Sequence, residues 1–100
     1  MLGGKFMKLE NLWNDFLSRI KENISSLSYE TWFKDTKLVS LNKDNLAIVV
    51  VPMPFHKKHL VENYLNIMEE TIYLITKKQY NFEFLLEEEW TERTENETFN

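Results

Sequence analysis

The run Leu46-Ala47-Ile48-Val49-Val50-Val51 constrains the fold more than any other stretch. Successive side chains of a strand alternate between two faces, so Leu46, Ile48 and Val50 share one face and Ala47, Val49 and Val51 the other. Both sets are apolar. A strand of this kind must lie centrally, with cover on much of both faces. Pro52 removes a ladder donor and ends the strand. Pro54 suits the first turn of a helix, where a missing N–H costs nothing. The turn at Pro52-Met53-Pro54 is therefore stiff, and Phe55 follows it directly.

Around this strand the other elements fall into place. Leu9, Leu12, Trp13, Phe16, Leu17, Ile20 and Ile24 recur at steps that make one stripe of an amphipathic helix over 9–24. Ser25-Ser26-Leu27-Ser28 breaks that pattern. Ser28 is the expected N-cap of a short second helix, with Glu30 in its first turn and Tyr29, Trp32 and Phe33 as apolar contacts. Residues 37–42 and 45–51 predict two strands joined by the polar turn Asn42-Lys43-Asp44-Asn45. A third helix is expected from about Phe55 to Lys78, striped by Leu60, Tyr64, Met68, Ile72 and Ile75. Tyr80, Phe82, Phe84 and Leu86 alternate as a last strand near a sheet edge. The expected architecture is α+β in the order α-α-β-β-α-β, a three-stranded sheet with helices packed on one side.

One hundred residues suit one domain, and 43% hydrophobic with 14% aromatic content can fill its core. The net charge of −4 is unevenly placed. Residues 87–100 hold six acids and one Arg, which leaves ten acids against eleven Lys and Arg in 1–86. That folded part is near neutral, and nothing in it demands a nucleic-acid or membrane partner. Residues 87–100 read as an acidic flexible tail or the start of a linker, and residues 1–8 as a leader or cloning remnant. No apolar run approaches the ~20 residues needed to cross a bilayer.

The sequence is poor in catalytic signals. There is no cysteine, and both glycines lie at positions 3 and 4, so no Gly-rich loop can cradle a phosphate. No serine is tied by a motif to a base or an oxyanion hole. His56, His59 and Glu62 have a spacing that could present metal ligands on one helix face. Nothing else completes a ligand set, so they read as ordinary residues at a helix start. The expectation is a chain with no catalytic residues, no metal and no cofactor.

The ordered landmarks carry a resemblance. Leu12-Trp13 opens the first helix, Tyr29 stands three before Trp32, the strand ends in Pro52, Phe55 comes three residues on, and Tyr64-Leu65 lies along the third helix. Over residues 9–86 this set resembles the N-terminal domain (domain I) of DnaA, the bacterial chromosomal replication initiator. The resemblance implies a KH-like, non-enzymatic, cytoplasmic interaction domain cut from a longer protein. It implies weak self-association, recruitment of the replicative helicase DnaB or of loader proteins, and docking of species-specific regulators. Origin DNA would be bound by domains absent here, and weak single-stranded DNA binding is attributed to some members.

Residue by residue, Trp13 matches the family's self-association tryptophan, although an indole on the helix-one stripe can equally serve the core. Thr31 and Trp32 match positions used for regulators or loaders, and Phe55 a partner-binding phenylalanine. Ser28 stands where some relatives carry a helicase-contacting Glu. The expected partner face combines Thr31, Trp32, Met53, Phe55, His56 and His59. An alternative role for Phe55 is a staple on its own helix. A second function class is single-stranded nucleic-acid binding, with Phe55 stacking a base and Lys57 and Lys58 contacting phosphates. The missing GXXG loop and the thin positive charge make any such binding weak and salt-sensitive.

Overall fold

The computed structural model describes the backbone of residues 8–99 and the side chains of residues 8–96. Of the expected leader, all but Lys8 lies outside these residues. Eight elements follow in order: α1 (Leu9–Lys21), α2 (Ser26–Trp32), β1 (Lys37–Leu41), β2 (Leu46–Val51), α3 (Pro54–Asn63), α4 (Leu65–Thr76), β3 (Asn81–Leu86) and α5 (Glu87–Phe99). The sheet runs β1-β2-β3, with β2 central as its two apolar faces require. β1 and β2 are antiparallel and β2 and β3 parallel. A parallel pair needs a long crossover, which α3 and α4 supply.

The main core lies between one sheet face and the helices α1, α3 and α4. Phe16, Ile20, Phe33, Val49, Leu60, Met68 and Ile72 are wholly enclosed there. Trp13 stacks on Phe16 at 4.1 Å. Its Nε1–H donates to Thr36 Oγ1 (3.1 Å), which itself donates to the Phe33 carbonyl (2.7 Å). Thr36 is thus a buried hydroxyl with both of its roles filled, as burial demands.

Three expectations need correction. The N-cap of α2 is Ser25, not Ser28: the Ser28 N–H donates to Ser25 Oγ (3.1 Å). The serine a turn earlier wins because its own backbone is extended, the conformation an N-cap requires. The single long third helix is two helices. Tyr64 has φ −129° and ψ 0°, outside the helical range, and serves α3 and α4 as their shared boundary. Its ring stands edge-on to Phe33 (5.2 Å), while Asn63 Nδ2 donates to the His59 carbonyl (3.1 Å) and closes the last turn of α3.

The third correction concerns residues 87–99, expected to be a solvated tail. They form α5, packed on β2 and β3. Ile48, Val50 and Leu85 point away from the main core, yet are buried. Glu83 shares their face of the sheet and accepts from both amino groups of Arg93 (3.1 and 2.8 Å). That pair seats α5 across the second face, with Trp90 half-buried as the one large apolar side chain described on the helix. Helices therefore cover both faces of the sheet, not one.

Candidate functional site

The strand-to-helix turn after β2 delivers three consecutive side chains in three directions. Helical residues advance about 100° each, so neighbours cannot share a face. Phe55 is 63% exposed. His56 turns toward α2, and Nε2 lies 3.0 Å from the Thr31 carbonyl. A carbonyl only accepts, so the hydrogen resides on Nε2. Nδ1 is buried without a hydrogen-bond partner among the described residues. Lys57 turns the other way, and Nζ reaches Glu89 Oε1 of α5 at 2.7 Å.

Trp32, the last residue of α2, knits these helices together. His59 lies flat on its indole (3.6 Å between centroids, planes 12° apart), with Phe55 and His56 edge-on at 5.7 and 5.0 Å. Tyr64 closes the cluster behind His59 at 5.6 Å. The indole is half-buried against the core, which fixes the platform on which Phe55 stands. Met53, 56% exposed, occupies the N-cap position of α3 in an extended conformation and makes no side-chain cap. Thr31 is exposed, its Oγ1 donating to the Leu27 carbonyl (2.8 Å).

The structure thus brings Thr31, Trp32, Met53, Phe55, His56 and His59 to one end of the sheet, beyond the last residue of β2. It adds a residue that the sequence reading passed over. Leu27, 77% exposed, lies one turn before Thr31 and shares its helix face. A leucine flanked by serines in a helix start was the available signal. Leu27, Met53 and Phe55 are exposed apolar side chains, and Phe55 stands on the Trp32 ring.

Other expected residues fall elsewhere. Trp13 is 4% exposed, with its ring stacked and its N–H bonded inside the fold, so it offers no surface to a second copy. Of the two roles expected for Trp13, the structure displays the core one: the apolar body and polar tip of the indole are both satisfied internally. Lys57 is engaged by Glu89, while Lys58 is exposed and 4.0 Å from Glu62. Ser28 exchanges hydrogen bonds with Ser25.

Charged groups are perturbed around α5 and just after α2. The hydrogen bond from Arg93 holds the Glu83 carboxyl below its ordinary range, against a smaller opposing effect of burial. The Leu86 N–H (2.7 Å) and then Lys57 hold Glu89 low. Lys34 is raised by its hydrogen bond with Glu30. An open groove of about 440 Å³ lies at the opposite end of the sheet, between Glu69 and Tyr73 of α4 and Tyr80 before β3. It is not part of the aromatic face. Among the described residues no group of three His, Cys, Asp or Glu side chains could hold a metal ion. No described helix is long and apolar enough to cross a membrane.

Known proteins share this fold. The family model described as the DnaA N-terminal domain matches residues 10–73. A similar fold is found in the crystal structure of a HobA–DnaA (domain I-II) complex from Helicobacter pylori. The TM-score is 0.62 at 18% identity, over 76% of this chain and 98% of that chain. The match in sequence pattern covers more than half of the chain and includes α1 through most of α4, so the chain belongs to the DnaA N-terminal domain family.

Proposed function

We propose that this domain is a non-catalytic protein-docking module of a bacterial replication initiator, working in the cytoplasm, and that its docking face is the α2–α3 surface around Phe55. The observation that carries the reading is the setting of that ring. A phenylalanine 63% exposed leaves much of its apolar surface in water. Pro52 and Pro54 stiffen its turn and Trp32 supports it edge-on, so little is lost in ordering it when a partner arrives. Exposed aromatics on rigid bases are frequent interface anchors. Leu27 and Met53 widen the apolar area, and Thr31, His59 and Lys58 provide a polar rim.

The relative of similar fold was crystallised with a protein, HobA, which supports a protein partner for this face. Replicative helicase DnaB, a helicase loader or a replication regulator are the partners proposed here. Nucleic-acid binding through Lys57 and Lys58 ranks below protein docking, because Glu89 neutralises one of the two charges.

The test is a pull-down with the wild-type domain and Phe55→Ala, followed by titration of the strongest partner. The variant keeps its circular dichroism spectrum and loses at least about tenfold in affinity, the scale of an anchor residue. Unchanged affinity would remove Phe55 from the mechanism.

A further inference from the structure

α3 begins without the usual support. Met53 gives no side-chain cap, and Pro54 supplies no N–H. The first turn is held from its two flanks instead. His56 bonds the carbonyl of Thr31 on α2, and Lys57 pairs with Glu89 on α5. Phe55 sits between these anchors, facing out.

α5 is itself a conditional helix. Residues 87–97 carry six glutamates and one Arg. Glu88 and Glu92 stand four apart and Glu92 and Glu95 three apart, spacings at which like charges repel along a helix. A helix of 13 residues with such a pattern is marginal alone. Docking supplies what it lacks: partial burial of Trp90, Arg93 on Glu83, and Glu87 on Lys37 (3.2 Å). Glu89 Oε1 joins the two systems. It accepts from the Leu86 N–H at the β3–α5 junction and from Lys57 Nζ, each at 2.7 Å.

We infer that the Lys57–Glu89 pair is a strut through which α5 positions the first turn of α3, so that whatever grips or displaces α5 is felt at Phe55. Lys57 and Glu89 are positioning residues and touch no partner themselves. The depressed Glu89 carboxyl agrees with a carboxylate held in charged form by both donors. Undocking α5 removes one flank of the turn and leaves the α2 side, His56 on the Thr31 carbonyl and Phe55 on Trp32, to hold it. By reciprocity, fixing Phe55 in a complex steadies α5. The consequence for partner binding rests on the docking face proposed above; the strut does not.

The strut is tested in the free protein by amide hydrogen exchange at neutral pH. Glu89→Gln keeps an acceptor for the Leu86 N–H and removes the charge that faces Lys57. Lys57→Met removes the other half. Each variant exchanges severalfold faster than wild type both at residues 58–60 and at residues 91–94, the first amides bonded within each helix. The double variant is no faster than the single ones, since both remove the same link. Glu88→Gln and Lys57→Arg leave both segments slow. Acceleration confined to one helix overturns the strut, as do no change in either segment, additive effects in the double variant, or an equal effect of Glu88→Gln. No partner enters the measurement, so its failure is separate from a failure of Phe55 as an anchor.

Discussion

The imidazole of His59 lies parallel to the indole of Trp32, with centroids 3.6 Å apart. This stack joins α3 to α2 across 27 residues of chain, and it stands behind Phe55, not beside it. Trp32 and Phe55 are thus neighbours with different work. One is a structural base, the other a displayed ring, and substitution should separate them.

Trp32→Ala removes three ring contacts and half-buried area against the core. The expected loss is about 2–4 kcal/mol, below the upper end for a fully buried tryptophan. Phe55→Ala removes mostly exposed surface and should cost no more than about 1 kcal/mol. Urea unfolding of the two variants checks the ranking. A Phe55→Ala variant as unstable as Trp32→Ala would make Phe55 a core residue.

Trp13→Ala should behave as a core deletion. It empties a site 4% exposed, breaks the stack on Phe16 and takes the indole donor from Thr36. The expected cost is about 3–5 kcal/mol, a large share of the ~5–15 kcal/mol that holds a domain together. Any loss of self-association in that variant must therefore be read beside its melting curve. Trp13→Phe keeps an aromatic ring and loses the N–H, for about 1–2 kcal/mol. Sedimentation of the folded Trp13→Phe protein should match wild type, because no Trp13 surface is available to a second copy.

These cases show what could be read from the residues. The apolar run 46–51 demanded a central strand, and the ladder delivers it. The proline turn predicted a stiff corner, and Phe55 is exposed there. The break at Tyr64 had no Pro or Gly to announce it; only Asn63, which competes for backbone groups, marked the spot. Packing of the Tyr64 ring on Phe33 is a tertiary effect, invisible to periodicity. α5 was missed for a related reason. Its glutamates look like a solvated run; the cations that pair with two of them, Lys37 and Lys57, come from distant elements, and its own Arg93 pairs with Glu83 of β3. Trp13 was left undecided because its partner, Thr36, lies 23 residues away.

Lys77 ends α4 with φ 63° and ψ 21°, left-handed backbone in a residue that carries a Cβ. That conformation costs an L-residue roughly 1–2 kcal/mol and glycine little. Its N–H still closes the helix by bonding the Tyr73 carbonyl (2.8 Å). Lys77→Gly should therefore raise stability by up to about 1 kcal/mol, part of the gain being offset by glycine's larger unfolded-state entropy. Lys77→Val should lower it. Thermal melts of both variants decide the matter, and a destabilised glycine variant would show that the lysine side chain holds the cap.

Acid should loosen α5, and the sign follows from two carboxyls. Glu83 and Glu89 both titrate in the fold below the ordinary glutamate value of 4.5. The unfolded chain therefore takes up protons first as the pH falls. Where it binds more protons than the native state, stability declines with decreasing pH. Their contribution is whole above about pH 5 and is lost as the pH drops through 4.5 and then through the lower native values. The Glu83–Arg93 and Glu89–Lys57 links fail together in that window, and both hold α5. Lys34 acts at the other extreme: its raised value keeps its contribution below 10.5 and forfeits it as the pH climbs past the native value. Urea midpoints measured from pH 3 to 7 should fall on the acid side. In Glu83→Gln and Glu89→Gln the fall should be shallower, because a glutamine takes no proton. Amide protection factors in α5 should fall over the same range before those of the sheet. An acid transition equally steep in both variants would place the responsible carboxyls elsewhere and leave α5 held chiefly by Trp90.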